Sequence, residues 1–122
     1  MNKQTFEDLR IWQSSHQIVL KVYRLCASFP SEEKFALVDQ LKRAAASIPA
    51  NIAEGYGRRT NKDFVQFLHI ALGSAEETHY HLILSRDLRY ISEECFSEIV
   101  DELVILKKQL IAFINKINTQ LA

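Results

Sequence analysis

With only three glycines and two prolines in 122 residues, the chain lacks the turn-formers that an all-β fold needs at each strand reversal. No apolar run approaches the roughly 20 residues of a membrane span, and the N-terminus has no apolar core of a secretory signal. A cytoplasmic protein with no membrane partner is therefore expected. Cys26 and Cys95 are too few for a zinc site, and both are read as reduced core residues in apolar helical surroundings. Charge of neither sign dominates: Lys plus Arg and Asp plus Glu are both 15, which argues against a polyanion-binding surface spread over the whole molecule. There is no Gly-rich phosphate loop, no nucleophile elbow, no internal repeat and no low-complexity segment.

What is present is helical periodicity. Apolar residues make up 48% and charged residues 25%, ordinary for one globular domain over residues 1–122. Four helices are predicted, at about 6–28, 32–56, 62–90 and 93–120, forming an all-α, up-down-up-down antiparallel four-helix bundle. Thr5 with Asp8 reads as a capping box for the first helix, and Ser31, Thr60 or Asn61, and Ser92 as caps for the others. Phe29-Pro30 ends the first helix, because the residue before proline is pushed out of the α region.

The chain is organised around Ser47-Ile48-Pro49-Ala50-Asn51-Ile52-Ala53-Glu54-Gly55-Tyr56-Gly57-Arg58. Leu37, Leu41, Ala44, Ile48 and Ile52 keep one apolar face across the proline. A mid-helix proline costs about 3 kcal/mol, so a kink at Pro49 held by packing is expected, in preference to a break. Ser47, Asn51, Glu54 and Arg58 share a strip beside the apolar face with Gln40 and Arg43. Glu54 and Arg58 have the spacing of an intrahelical ion pair; Asn51 is placed to bridge Ser47 and Glu54. Gly55 or Gly57 is expected to supply a left-handed helix end. This strip reads as kink support and interface hydrogen bonding.

That stretch, preceded by FALVDQLKRAAA and followed by FVQFLHIALGSAEE, closely resembles the 23S rRNA intervening sequence protein family. Phe6-Glu7-Asp8-Leu9, Trp12-Gln13, Tyr23 and Phe29-Pro30 extend the likeness over nearly the whole chain. Ser15 and His79-Tyr80-His81 depart from the family pattern. The family is similar to the accessory protein of diversity-generating retroelements, and the resemblance implies a four-helix bundle that forms a homopentamer. It implies no biochemical activity and no cofactor.

The first and last helices each carry two apolar stripes, whereas a lone bundle buries one per helix. Self-association is the simplest cover for the second. Val22, Val100, Val104, Ile111 and Ile114 are the candidate oligomer interface. Small residues around Gly73 suggest close packing of another backbone there. Arg43, Arg58, Arg59 and Lys62 are candidate contacts to RNA or an RNA-associated protein, since arginine's fork suits phosphate. Residues 1–62 carry ten basic and six acidic side chains and residues 63–122 five and nine, an asymmetry that suits attraction between subunits as well as a nucleic acid. The alternative is a small metal-binding or catalytic bundle built on Glu76 and His79, or on Asn51, Glu54 and Arg58. Glu76 and His79 have di-iron spacing, but such sites need a second Glu-x-x-His pair, and the chain has none.

Overall fold

Thr5 and Asp8 do form a capping box. The Thr5 amide donates to the Asp8 carboxylate at 2.9 Å, and the Thr5 hydroxyl accepts from the Glu7 amide at 3.2 Å. The turn it opens is a short 3₁₀ turn, Phe6–Asp8, and Leu9 is extended before α1 begins. The computed structural model describes residues 4–121, with α1 at Arg10–Cys26, α2 at Leu37–Tyr56, α3 at Asn61–Asp87 and α4 at Glu93–Leu121. All secondary structure among the described residues is helical.

The second helix starts at Leu37 and not at residue 32. Ser31–Glu33 is a separate 3₁₀ turn with no side-chain cap, and Ala36 leaves helical geometry at φ −122° and ψ −102°. The Tyr90 hydroxyl donates to the Glu33 carboxylate at 2.8 Å and ties that turn to the segment following α3. Local spacing carries no trace of such a bond. Thr60 caps α3 by accepting from the Asp63 amide at 3.1 Å, and Ser92 caps α4 through the Cys95 amide at the same distance.

α2 runs through Pro49 without a break, with the proline buried. Pro49 has no N–H to give the Ala45 carbonyl, so packing on both sides must hold the helix together. The helix ends in right-handed geometry at Gly57, φ −80°, and no glycine among the described residues has positive φ. The expected left-handed glycine is thus absent. The left-handed residue is instead Arg89, φ 65°, just beyond α3.

Each helix packs on its neighbours in sequence, and α4 closes onto α1. Along α2 and α3 the contacts run in opposite order: Gly55 meets Phe64 and Phe67, Ser47 meets Ser74, and Leu37 lies beside Leu84 and Leu88. Along α3 and α4, Phe64 meets Phe113, Glu76 meets Lys107, and Arg86 lies over Phe96. Lys21 pairs with Glu98 at 3.6 Å and with Glu102, while Ser28 lies near Cys95. Neighbouring helices in these pairs therefore run antiparallel.

Fully buried Ile18, Val22, Leu41, Ile48, Ile52, Leu68, Leu82, Leu103, Leu106 and Leu110 form the core. This corrects two candidate interface residues. Val22 is 0% and Ile114 4% exposed, so the chain's own helices already cover them and nothing remains for a second copy. On α1 the stripe through Ile11, Ile18 and Val22 faces inward; Tyr23, on the neighbouring stripe, is exposed. Cys26 is a core residue as expected, but Cys95 is exposed near the start of α4.

Candidate functional site

The polar strip on α2 faces the seam with α3. Asn51 Nδ2 donates to the Ser47 carbonyl at 2.7 Å and to the Ser47 hydroxyl at 2.9 Å. The Ser74 hydroxyl donates to the same Ser47 oxygen at 3.0 Å, crossing to α3. Thr78, one turn further along α3 and fully buried, returns its hydroxyl to the Ser74 carbonyl at 2.8 Å. Asn51 does not reach Glu54, which pairs with Arg58 at 2.9 Å. Small side chains at 47 and 74 let the helices approach closely enough for a direct hydroxyl-to-hydroxyl bond. Two turns on, Gly55 lies under Phe64 and Phe67, where a Cβ would sit 2.7 Å from the Phe67 Cβ. The motif glycine is therefore a packing requirement between helices and not a turn.

The basic candidates do not form one patch. Arg43 is exposed and pairs with Asp39 at 3.0 Å; it lies 15 residues before Arg58, about 22 Å along the same axis at 1.5 Å per residue. Arg58 is held twice, by Glu54 and by stacking 4.7 Å over the Phe67 ring. Arg59 and Lys62 are exposed, and among the described residues neither has an ion pair. The turn between α2 and α3 thus presents two unneutralised cations beside a braced third.

The outer apolar surface also differs from the expected set. Ile111 is exposed, while Val100 and Val104 are half-buried on the same side of α4. Ile105, 56% exposed, was missed because it belongs to neither apolar stripe; an isoleucine on the polar side of an amphipathic helix was the available signal. Ile70 and Tyr80 are exposed on α3, and Phe35 stands free before α2. Between Ile70 and Tyr80, Gly73 is exposed, and nothing lies within 4 Å of where its Cβ would be. Of the small residues around it, Ala71 and Ala75 are fully buried and Ser74 meets Ser47 across the seam, but Gly73 itself has no close neighbour within the chain.

Glu76 and His79 do converge, but on Lys107 of α4. Its ammonium contacts the Glu76 carboxylate and donates to His79 Nδ1 at 2.9 Å. Burial and the Lys107 charge hold His79 below the usual imidazole range. Among the described residues no three His, Cys, Asp or Glu side chains are grouped as a metal site would require. Of the other histidines, His16 stacks on Trp12 at 5.0 Å and His69 is exposed. His81 is buried. No helix among the described residues is long and apolar enough to cross a membrane.

A family model described as 23S rRNA-intervening sequence protein matches residues 7–112. Among solved structures, the chain is similar to a protein from Bacteroides thetaiotaomicron, described as of unknown function and from the S23 ribosomal protein family. That similarity has a TM-score of 0.77 at 29% identity, over 85% of this chain and 97% of the other. No curated protein matches the chain.

Proposed function

The chain belongs to the 23S rRNA-intervening sequence protein family, and from that premise we propose that it is a non-catalytic, self-assembling binding module. The observation that carries this reading is the apolar surface left over once the core is complete. Ile105 and Ile111 remain about half exposed on α4, with Val100 and Val104 half-buried beside Ile111. Ile105 and Ile111 stand about 120° apart around the helix at 100° per residue, so they supply two separate contacts. Copies meeting on both flanks of α4 would make a ring, as heterologous interfaces do when the rotation closes. The count of five follows from the family resemblance alone.

Assembly would repeat the turn bearing Arg58, Arg59 and Lys62 around the ring. Repetition turns a small cluster into a continuous basic rim, suited to the phosphates of an RNA or the acidic surface of an RNA-associated protein. Cytoplasmic location fits such partners. The metal-binding or catalytic alternative gains nothing from Glu76 and His79, because Lys107 occupies the position between them.

Light scattering on a sizing column tests the assembly. A stable oligomer at micromolar concentration is expected; a single species at the 14.1 kDa of the monomer overturns it.

A further inference from the structure

α1 and α3 occupy diagonal corners of the bundle, each touching α2 and α4 but not the other. Both carry a long uncharged run. In a chain that is 25% charged, residues 11–20 of α1 and 64–75 of α3 contain no Asp, Glu, Lys or Arg, although Gln13, Gln17, Gln66, His69, Ile70 and Gly73 within them are exposed. Solvent-facing helix surfaces are usually charged, and loss of charge marks the centre of a protein interface. We propose that the α1 run of one copy packs on the α3 run of the next. This contact presupposes the self-assembly proposed above and specifies which faces meet.

Charge selects the pairing. Arg10, Gln17 and Arg24 recur every seven residues on α1, and Asp63, Ile70 and Glu77 do so on α3; all six are exposed. Seven residues return a helix to within about 20° of the same direction, so each triplet forms a stripe. Both stripes span 14 residues, about 21 Å at 1.5 Å per residue. The α1 stripe is basic at its two ends, and the α3 stripe is acidic at its two ends with Ile70, 50% exposed, between them. Among the described residues Arg10, Arg24 and Asp63 have no ion pair, and Glu77 meets the His81 imidazole at 3.3 Å. Two α1 stripes together, or two α3 stripes, would set like charges face to face, whereas α1 against α3 answers both ends. Shape agrees with charge. Nothing lies within 4 Å of where a Gly73 Cβ would be, which leaves a notch near Ile70 for an aliphatic side chain such as half-buried Leu20 of α1.

The two stripes are also level. α1 and α3 both run antiparallel to α4, so they run parallel to each other. Lys42 lies 4.7 Å over the Tyr23 ring, and Ser47, five residues further along α2, meets Ser74. Tyr23 therefore stands at the height of His79, and Arg24 within about 5 Å, one helical turn, of the height of Glu77. A copy rotated about an axis along the bundle, with no shift along that axis, brings Arg24 towards Glu77 and Arg10 towards Asp63. Rotation without a shift is the relation between copies in a closed assembly, not in a helical filament.

Sedimentation equilibrium of the full chain over a concentration series tests the contact by exchanging charges. R10E/R24E and D63K/E77K each place like charges at both ends, and each should raise the concentration at half-assembly by about tenfold or more. The quadruple variant restores opposite charges with the signs exchanged, and should return to within about threefold of the parent. I70E, at the centre, should dissociate the parent and the quadruple variant alike. All five positions are exposed, so helical circular dichroism should match the parent throughout. A monomeric parent overturns self-assembly and this contact together. With an oligomeric parent, this contact alone is overturned if either pair of reversals leaves assembly unchanged, if the quadruple variant stays as dissociated as the pairs, or if I70E assembles like the parent.

Discussion

Gly55 on α2 lies directly beneath Phe67 on α3: a methyl group added there would come within 2.7 Å of the Phe67 Cβ and 2.8 Å of a Phe64 ring carbon. The first of these atoms is fixed to the α3 backbone and cannot swing aside. Gly55→Ala should therefore push α2 and α3 apart and destabilise the fold by about 1–3 kcal/mol, the usual cost of overpacking. Gly57 is the control. Its φ is −80° and its nearest neighbour would stand at 3.6 Å, so Gly57→Ala should be neutral or stabilise by about 0.4–1 kcal/mol through the unfolded chain. Urea unfolding of both variants decides this; equal midpoints would show that the approach of the two helices is softer than described.

Those two glycines also show where a sequence speaks and where it does not. The caps at Thr5, Thr60 and Ser92 were legible because each is a contact between residues two or three apart. The Glu54–Arg58 pair was legible for the same reason, at one helical turn. Gly55 reads in the sequence as interchangeable with Gly57 for closing the helix, because its real constraint lies on another helix. Likewise Val22 and Ile114 carry the same apolar signal as Ile111, and periodicity alone cannot say which of two adjacent stripes turns inward. The bond from Tyr90 to Glu33, 57 residues apart, leaves no mark in the local sequence.

The seam between α3 and α4 contains an acid-sensitive contact. Lys107 donates to His79 Nδ1, so protonating that nitrogen would set two cations against each other. Burial first, then the Lys107 charge, lowers the His79 pKa from 6.5, outweighing the raising effect of Glu76. Because the folded pKa lies below the unfolded one, the unfolded state takes up more protons. The contribution to stability is complete above pH 6.5 and is lost as pH falls through the folded value. A proton-NMR titration should place His79 below 6.5, and Lys107→Met should move it upward. It should not return fully, since burial persists in the variant. An unchanged His79 pKa in Lys107→Met would mean that burial alone sets it.

If the turn after α2 meets a nucleic acid, its two unpaired cations carry the contact. Arg59→Ala with Lys62→Ala should lower the slope of log affinity against log salt by about 1.4, from roughly 0.7 per phosphate contact on a single strand. Arg43→Ala should leave the slope unchanged, because that side chain pairs with Asp39 about 22 Å away along α2. Titration of a labelled single-stranded RNA at several salt concentrations provides the comparison. Equal slopes for the double variant and the parent would remove this turn from any RNA contact.

Ile111 and Ile114, one turn apart on α4, separate assembly from folding. Ile111 is 46% exposed and Ile114 4% exposed, so a change at each tests a different surface. Ile111→Glu combined with Ile105→Glu replaces apolar groups that touch solvent, and should alter the unfolding free energy of the separated chain by no more than about 0.5 kcal/mol. The same pair should dissociate the proposed oligomer, because each copy would present two unpaired carboxylates to its neighbours' apolar side chains. Ile114→Ala removes core volume and should cost about 2–5 kcal/mol of stability while leaving the folded fraction assembled. Sedimentation and urea unfolding, run on both variants, give four outcomes. The division of α4 into inward and outward stripes fails if Ile114→Ala dissociates the protein without destabilising it, or if the double glutamate variant unfolds before it dissociates.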